Sequence, residues 1–231
     1  MKKNKIFIAC DTSNLDLVRK IINQTKTKEL EIVPKFGLQF FYSRKGRKFL
    51  EYFDKEFFLD LKINDIKQTA LSAIDSLKDL KKCRYITVHA NGGLEMLKAV
   101  KKKAAETNKK LKVLGVTVLT SLNNKSLKEI GHTRSVEQLV LKQAALIKKA
   151  SLHGIVLSAK EAKIVKKKYN NLFIVTPGIR LPGDRTDDQA RVVTPYEALK
   201  INKVNAIVIG RSLIRGNIKN NIKNLIDHLK K

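Results

Sequence analysis

The sequence contains little cysteine, and its two cysteines do not form a recognisable pattern. Cys10 and Cys83 are too few for a disulfide framework, and both lie in or beside strand-like runs. We therefore expect two buried free thiols in a reducing cytoplasm. Histidine, cysteine and carboxylate residues show no convincing metal-ligand spacing, and no Ser/His/Asp arrangement stands out, so we expect no metal.

Long hydrophobic runs are also missing. After the start MKKNK the apolar run extends only from Ile6 to Cys10 and is followed at once by Asp11. This run is too short for the hydrophobic region of a signal peptide. No stretch reaches the ~18 apolar residues of a transmembrane helix. We predict a soluble cytoplasmic protein with no membrane partner.

Segments that would divide the chain are absent as well. The 231 residues include only 4 prolines and 11 glycines, with no Pro-rich linker and no low-complexity stretch. Apolar residues make up 43% of the sequence, which argues for a folded globule and against a disordered tail. We predict a single domain over residues 1–231.

Acidic residues are scarce, and the chain is strongly basic. There are 21 Asp and Glu against 48 Lys and Arg, a formal net charge of +27. Such a balance suggests a nucleic-acid or membrane-surface partner. The lysines, however, are spread from Lys2 to Lys231, without interleaved aromatic residues or helix-turn-helix or zinc-finger spacing. We favour a solvated basic surface that attracts a phosphorylated small substrate. A nucleic-acid-binding protein is the alternative, and it predicts tight, salt-dependent binding.

Apolar runs alternate with amphipathic segments about eight times. The runs cover residues 5–10, 31–37, 57–62, 85–90, 111–119, 154–159, 172–178 and 205–211. They are continuous, as expected for parallel strands covered on both faces. Between two of them, Val136, Val140, Ala144 and Ile147 share one helical face. This alternation predicts an α/β protein with a (β/α)₈ barrel; an open doubly wound sheet is the alternative.

Polar residues stand where a barrel requires its catalytic groups, at the carboxyl ends of the strands. In chain order they are Asp11, Lys35, Asp60, Lys62, Asp65, His89, Asn91, Thr120 and Ser121. Asp60 and Lys62 are two residues apart, so a regular strand would direct both to one side. An alternating array of carboxylates and ammoniums is suited to proton delivery. The alternative is an ion pair that seals the end of the core.

The last two runs end in segments with phosphate-binding chemistry. Residues 176–195 form a long loop rich in Gly, Pro and charge, which predicts a substrate lid or else a mobile surface loop. In IGRS, Gly210 permits close backbone approach and Arg211 can bind phosphate oxygens with its forked guanidinium. We interpret His89, His132 and His153 as structural or solvated, not as catalytic bases.

Several of these motifs together resemble one enzyme family. FLDLKINDIKQT, GVTVLTS, TPGIR with DDQARVVTP, and IGRS are similar to the bacterial branch of the orotidine 5′-phosphate decarboxylases, over nearly the whole chain. The resemblance implies a (β/α)₈ barrel that dimerises through the barrel mouths. It also implies cofactor-free conversion of orotidine 5′-monophosphate to uridine 5′-monophosphate and CO₂, the last step of de novo pyrimidine synthesis.

The resemblance also implies roles for individual residues. Lys62 corresponds to the proton donor to C6, and Asp60 lies beside the substrate carboxylate. Lys35 and Asp11 serve the charged network and the ribose hydroxyls. Asp65, Ile66 and Thr69 match positions that reach the neighbouring subunit's site. Thr120 and Ser121 match contacts to the nucleotide. The positions matched at the phosphate and the lid are Arg180, Gln189, Gly210 and Arg211.

Three residues depart from the pattern of this family, and a related group of enzymes is the nearest alternative. Asn64, Lys67 and Gln68 stand where the family commonly has His, Pro and Asn, which bears on the loop conformation and the dimer contacts. Related Mg²⁺-dependent barrel enzymes, keto-sugar-phosphate decarboxylases and hexulose-phosphate synthases, share the Asp-x-Lys-x-x-Asp pattern. They carry a metal-binding Glu where this chain has Lys35, and an ammonium there would repel the metal.

Overall fold

The apolar runs form eight parallel strands that close into a barrel. In this computed structural model, residues 3–184 and 192–230 are described. The strands are β1 (Lys5–Ala9), β2 (Glu31–Gly37), β3 (Phe57–Ile63), β4 (Cys83–His89), β5 (Lys112–Val116), β6 (Gly154–Val156), β7 (Phe173–Thr176) and β8 (Ala206–Ile209). Each strand pairs with the next, and β8 pairs with β1. The predicted (β/α)₈ barrel is confirmed, and the open sheet is wrong.

Helices connect the strands on the outside. They are α1 (Leu15–Gln24), α2 (Leu38–Phe41), α3 (Gly46–Glu51), α4 (Lys67–Asp75), α5 (Gly93–Thr107), α6 (Asn124–Glu129), α7 (Val136–Lys149), α8 (Ala159–Lys168), α9 (Arg211–Ile214) and α10 (Ile218–Lys230). A π-helical turn, Glu197–Ile201, precedes β8. No helix in the described ranges is both long and apolar enough to span a membrane.

The core has two layers because each strand is covered on both faces. Inside the barrel, the ring of Phe7 lies 4.9 Å from that of Phe58 and 5.0 Å from that of Tyr85, measured between ring centroids. Outside it, the side chains of alternate strand residues such as Ile6 and Ile8 belong to the layer beneath the helices. This arrangement explains why the strands read as continuous apolar runs instead of alternating ones.

Helix α7 shows how local sequence sets the outer layer. Ser135 precedes the helix and forms a capping box with Gln138. The hydroxyl of Ser135 accepts the backbone N–H of Gln138, and the side chain of Gln138 accepts the backbone N–H of Ser135. The predicted apolar face of the helix is buried against the barrel. Gly115 on β5 allows this close approach, since a Cβ there would lie 2.5 Å from Cγ1 of Ile147.

Both cysteines are buried and free, as the sequence predicted. Burial, together with the nearby charge of Asp11, raises the pKa of Cys10 to about 12. Burial likewise raises the pKa of Cys83 to about 12. Thiols with such pKa values stay protonated near neutral pH and are poor nucleophiles, so neither cysteine is a candidate for catalysis.

Candidate active site

A cavity of about 490 Å³ opens at the carboxyl ends of the barrel strands. Its walls include polar residues that lie on β2 and β3 or follow β1, β5, β7 and β8. Nine of the predicted site residues line it: Asp11, Lys35, Asp60, Lys62, Thr120, Ser121, Arg180, Gly210 and Arg211. The barrel therefore brings together side chains that are up to 200 positions apart in the sequence.

Lys35 is the buried centre of the charged group. It lies on β2 and is only 4% exposed. Its Nζ lies 3.0 Å from Oδ2 of Asp11 and 3.4 Å from Oδ2 of Asp60. Asp11 is held in turn by the backbone N–H of Gly37, which donates to its Oδ1 at 3.1 Å. The ammonium is thus shared between two carboxylates that face the cavity.

Lys62 reaches the same group from an irregular strand end. Its Nζ lies 3.0 Å from Oδ1 of Asp60. The backbone of Lys62 has φ 51°, in the left-handed region, and the pairing of β3 with β4 is irregular between Leu59 and Ile63. The side chains of Asp60 and Lys62 therefore face the same space, as expected. A distorted strand end places them there, and not the regular alternation of a strand. Such positions are uncommon for a residue with a Cβ and cluster at functional sites.

Thr87 completes the group, and sequence reasoning missed it. This residue of β4 is fully buried. Its hydroxyl donates to Oδ1 of Asp60 at 3.0 Å and accepts the backbone N–H of Lys62 at 2.9 Å. The available signal was a hydroxyl inside the apolar run YITVHA, because most buried hydroxyl groups have a hydrogen-bond partner.

The charges keep each other ionised. Burial alone would lower the pKa of Lys35, but the carboxylates of Asp60 and Asp11 outweigh it and raise this pKa above its ordinary value. Burial alone would raise the pKa of Asp60, but Lys35 and Lys62 outweigh it and lower this pKa. Burial and the charge of Lys62 also lower the pKa of nearby His89. A carboxylate held between two ammoniums is the electrostatic core of the site.

Asp65, Ile66 and Thr69 lie outside this cavity. They follow the end of β3, are exposed, and the side chain of Ile66 has 73% of its surface accessible. Oδ1 of Asp65 accepts the backbone N–H of Ile66 at 2.8 Å. Asp65 and Thr69 border a second groove, which shares Lys62 with the cavity. Within one chain they do not join the charged group, and their predicted role requires a second subunit.

The side of the cavity where phosphate is predicted to bind is formed by residues that follow β7 and β8. Arg180 is 8% exposed, and its Nη1 donates to the carbonyl of Ile179 at 2.9 Å. Two backbone hydrogen bonds join the ends of the predicted lid: Arg180 N to Val193 O at 3.1 Å, and Val193 N to Gly178 O at 3.2 Å. Arg211 begins α9 directly after Gly210. Gln189 lies outside the described residues, so its predicted role stays a prediction.

The described residues show no cluster of side chains that could form a metal centre. Across residues 3–184 and 192–230, no three His, Cys, Asp or Glu side chains are grouped so that they could hold a metal ion. His89 accepts the backbone N–H of Asn91 with its Nδ1 at 3.3 Å, and His153 accepts that of Val113 at 3.0 Å. Both histidines therefore form backbone contacts, which agrees with the interpretation that they are structural residues.

Comparison with known proteins identifies the family. The sequence profile of the orotidine 5′-phosphate decarboxylase / HUMPS family matches residues 4–221. The chain belongs to this family. An orotidine 5′-phosphate decarboxylase of Wolbachia sp. subsp. Brugia malayi is 38% identical over 226 residues, which is 96% of this chain and 97% of that protein. The one from Carboxydothermus hydrogenoformans is 38% identical over 218 residues, 91% of this chain and 89% of that protein.

Solved structures of the family share the fold. The orotidine 5′-phosphate decarboxylase of Lactobacillus acidophilus superimposes with a TM-score of 0.83 at 26% identity and covers 99% of this chain and 100% of that one. The enzyme of Methanocaldococcus jannaschii, solved in complex with the inhibitor BMP, gives a TM-score of 0.75 at 22% identity, covering 100% of both chains, and supports the fold alone. The family resemblance read from the sequence is confirmed, as is the prediction of an enzyme of this family.

Proposed function

We propose that this protein decarboxylates orotidine 5′-monophosphate to uridine 5′-monophosphate and CO₂, the last step of UMP biosynthesis. The reaction would take place in one catalytic barrel domain and need no cofactor. The observation that carries the proposal is the linked group Lys35–Asp60–Lys62 at the cavity wall, with Nζ–Oδ distances of 3.4 and 3.0 Å. Family membership supplies the substrate class, and this group supplies the chemistry.

The reaction has a specific electrostatic demand. Loss of CO₂ from C6 leaves a carbanion in the plane of the pyrimidine ring, where the ring π system delocalises it poorly. An ammonium fixed beside that carbon would stabilise the developing charge and then protonate it. Lys62 fits this role because it lines the cavity, its side chain is partly exposed, and Asp60 holds its Nζ at 3.0 Å.

The other members of the group would position Lys62. Asp60 accepts from Lys62, Lys35 and Thr87, so its carboxylate cannot turn without breaking several contacts. We assign Asp60 the place beside the substrate carboxylate and give Lys35 and Asp11 the ribose side of the site. Thr120 and Ser121 would contact the nucleotide from the loop after β5. A Mg²⁺-dependent reaction is disfavoured because the ammonium of Lys35 occupies the two carboxylates that a metal would need.

Binding of the phosphate would provide energy far from the reacting carbon. Arg180, Gly210 and Arg211 line the same cavity at the ends of β7 and β8, where phosphate sites of such barrels are formed. Arginine forks suit phosphate oxygens. We assign these residues, with Gln189, to the phosphate and to closure of the lid, which would assemble the charged group around the substrate.

We also propose a homodimer in which each subunit completes its partner's site. Asp65, Ile66 and Thr69 are exposed beside the groove that Lys62 shares with the cavity. A twofold partner placed over the barrel mouth would bring its own Asp65 towards Lys62, which would gain a second carboxylate neighbour. A cytoplasmic location likewise stays a prediction.

The decisive experiment is an ultraviolet assay with orotidine 5′-monophosphate in the presence of EDTA. We expect loss of the substrate absorbance band and formation of uridine 5′-monophosphate, with no dependence on added Mg²⁺. Activity that appears only with Mg²⁺ would favour the metal-dependent relatives. A folded, dimeric protein without activity in either condition would contradict the proposal.

A further inference from the structure

The basic residues are distributed unevenly around the closed end of the barrel, opposite the catalytic mouth. At this end the helical segment before each of β2 to β8 finishes its last turn and leads into that strand. Each connection is defined as the segment that begins at the fourth residue from the end of the helix and ends at the first residue of the following strand. Entering β2, β3 and β4, these are residues 21–31, 48–57 and 72–83; entering β5 to β8, they are 104–112, 146–154, 165–173 and 198–206.

Among these seven connections, the first three are nearly balanced in charge and the last four are almost purely basic. The connections into β2, β3 and β4 hold seven lysines and seven acidic residues. The connections into β5, β6, β7 and β8 hold ten lysines and a single acid, Glu106. The ten are Lys109, Lys110, Lys112, Lys148, Lys149, Lys166, Lys167, Lys168, Lys200 and Lys203. We call these ten residues the basic rim.

The basic rim is continuous in space because β5, β6, β7 and β8 are consecutive neighbours in the barrel. All of its lysines are exposed except Lys166, which is half-buried and donates to the carbonyl of Lys203. Wherever the structure is described, none of the ten forms an ion pair, whereas Lys103 farther up α5 pairs with Asp75 at 3.0 Å. Their charges are therefore uncompensated by neighbouring carboxylates.

A half-buried histidine lies beside two lysines at this end of the barrel. His153, in the connection into β6, has its pKa lowered to about 4 by burial and by the charges of Lys101 and Lys112. Nζ of Lys101 lies 2.7 Å from Nε2 of His153. The neighbouring ammonium groups of Lys101 and Lys112 add to the positive charge of this end of the barrel.

We propose that the basic rim is a docking surface for the phosphate backbone of a single-stranded nucleic acid, recognised without regard to sequence. With helices about 10 Å wide, four adjacent connections span an arc of roughly 30 Å, long enough to follow several phosphates. Asn170, Asn171 and Asn205 lie among the lysines and offer amide groups for phosphate and sugar oxygens. A membrane surface fits less well, since Ile201 is the one strongly exposed large apolar side chain of these connections.

This partner is compatible with catalysis because the basic rim lies at the opposite end of the barrel from the cavity. The proposed binding is also independent of nucleotide sequence. It therefore does not need the helix-turn-helix or zinc-finger spacing that we did not find in the sequence. The proposal does not depend on the identity of the substrate, so failure of the decarboxylase assay would leave it standing.

The test uses two variants of the full chain that lose the same number of charges from the same end of the barrel. The rim variant changes Lys109, Lys110, Lys148, Lys149, Lys167 and Lys168 to Gln. The control variant changes Lys26, Lys28, Lys55, Lys78, Lys81 and Lys82, which are equally exposed but lie in the three balanced connections. Thermal unfolding of both establishes that they fold. Binding of a labelled 24-nucleotide RNA of mixed sequence is then measured by anisotropy at several salt concentrations.

We expect the rim variant to bind at least about tenfold more weakly than the wild type, with a slope of log K against log salt that is shallower by about 2. The control variant should lose less than about threefold. Equal losses in the two variants would mean diffuse charge attraction and would overturn the proposal. So would the absence of RNA binding by the wild type, or rim-dependent binding to phosphatidylserine vesicles alone.

Discussion

Thr87 and Asp60 form the hydrogen bond on which the geometry of the charged group depends. The hydroxyl of Thr87 donates to Oδ1 of Asp60 at 3.0 Å, and the hydroxyl oxygen of Thr87 accepts the backbone N–H of Lys62 at 2.9 Å. One buried hydroxyl therefore holds the carboxylate and also supports the left-handed backbone at Lys62. This contact connects β4 to the distorted end of β3.

Replacing Thr87 by Val should misplace the charged group without emptying the core. The change keeps the shape of the side chain and removes its hydrogen bonds, so we expect kcat to fall about tenfold or more, with a smaller change in KM. The measurement is steady-state kinetics of orotidine 5′-monophosphate decarboxylation. Thr176→Val is the matched control, because Thr176 is equally buried and its hydroxyl has no partner among the described residues. Equal effects of the two changes would show that Thr87 only fills space.

Replacing Lys62 by Ala should abolish turnover while the barrel stays folded. The side chain of Lys62 is partly exposed at the cavity and contributes little to the core, but its ammonium would be the proton donor. We expect kcat to fall by several orders of magnitude, with a near-unchanged far-ultraviolet circular dichroism spectrum. Lys67→Ala, an exposed lysine at the start of α4, should retain activity. A Lys62→Ala enzyme with a near-normal rate would refute the assignment.

Two inactive variants should restore activity when mixed, if each subunit completes its partner's site. Lys62→Ala removes the proton donor from its own site, and Asp65→Ala removes the carboxylate given to the partner. After subunit exchange, a mixed dimer would contain one intact site, so an equal mixture should recover about one quarter of the wild-type activity. The check is activity after mixing, beside analytical ultracentrifugation of each variant. Persistent inactivity of mixed dimers would place Asp65 outside the partner's site.

His153 should make the protein less stable as the pH falls from about 6.5 towards 4. Burial and the charges of Lys101 and Lys112 lower its pKa from 6.5 to about 4 in the folded state. Between these values the unfolded chain binds the proton and the folded chain does not, so the free energy of unfolding decreases with decreasing pH. NMR titration of the imidazole signals should show one histidine that titrates near pH 4.

His153→Gln identifies that signal and tests its effect on stability. The glutamine carbonyl can still accept a backbone N–H group, but the side chain does not titrate. We expect the low-pKa signal to disappear and the melting temperature to depend less on pH between 4 and 6.5. A His153 that titrates near 6.5 would contradict the prediction.

The amino-acid sequence by itself determined the architecture and most of the cavity lining. Continuous apolar runs at regular spacing predict parallel strands that are covered on both faces, and eight of them favoured a barrel over the open sheet that was the alternative. Because the strands are parallel, the polar residues at their carboxyl ends, such as Asp11, Lys35 and Thr120, had to meet at one end. Periodicity and strand direction are local properties, so they can be read along the chain.

Tertiary structure alone decided which of these residues touch. The contact of Lys35 with two carboxylates, the left-handed backbone of Lys62 and the hydrogen bond of Thr87 all depend on how β3 is displaced against β4. Asp65 accepts the backbone N–H of Ile66 and, among the described residues, forms no ion pair with Lys62. The basic rim likewise emerged only when the barrel order placed four lysine-rich connections side by side. Spacing along a sequence carries no information about such distances, because they are set by packing between segments that are remote in the chain.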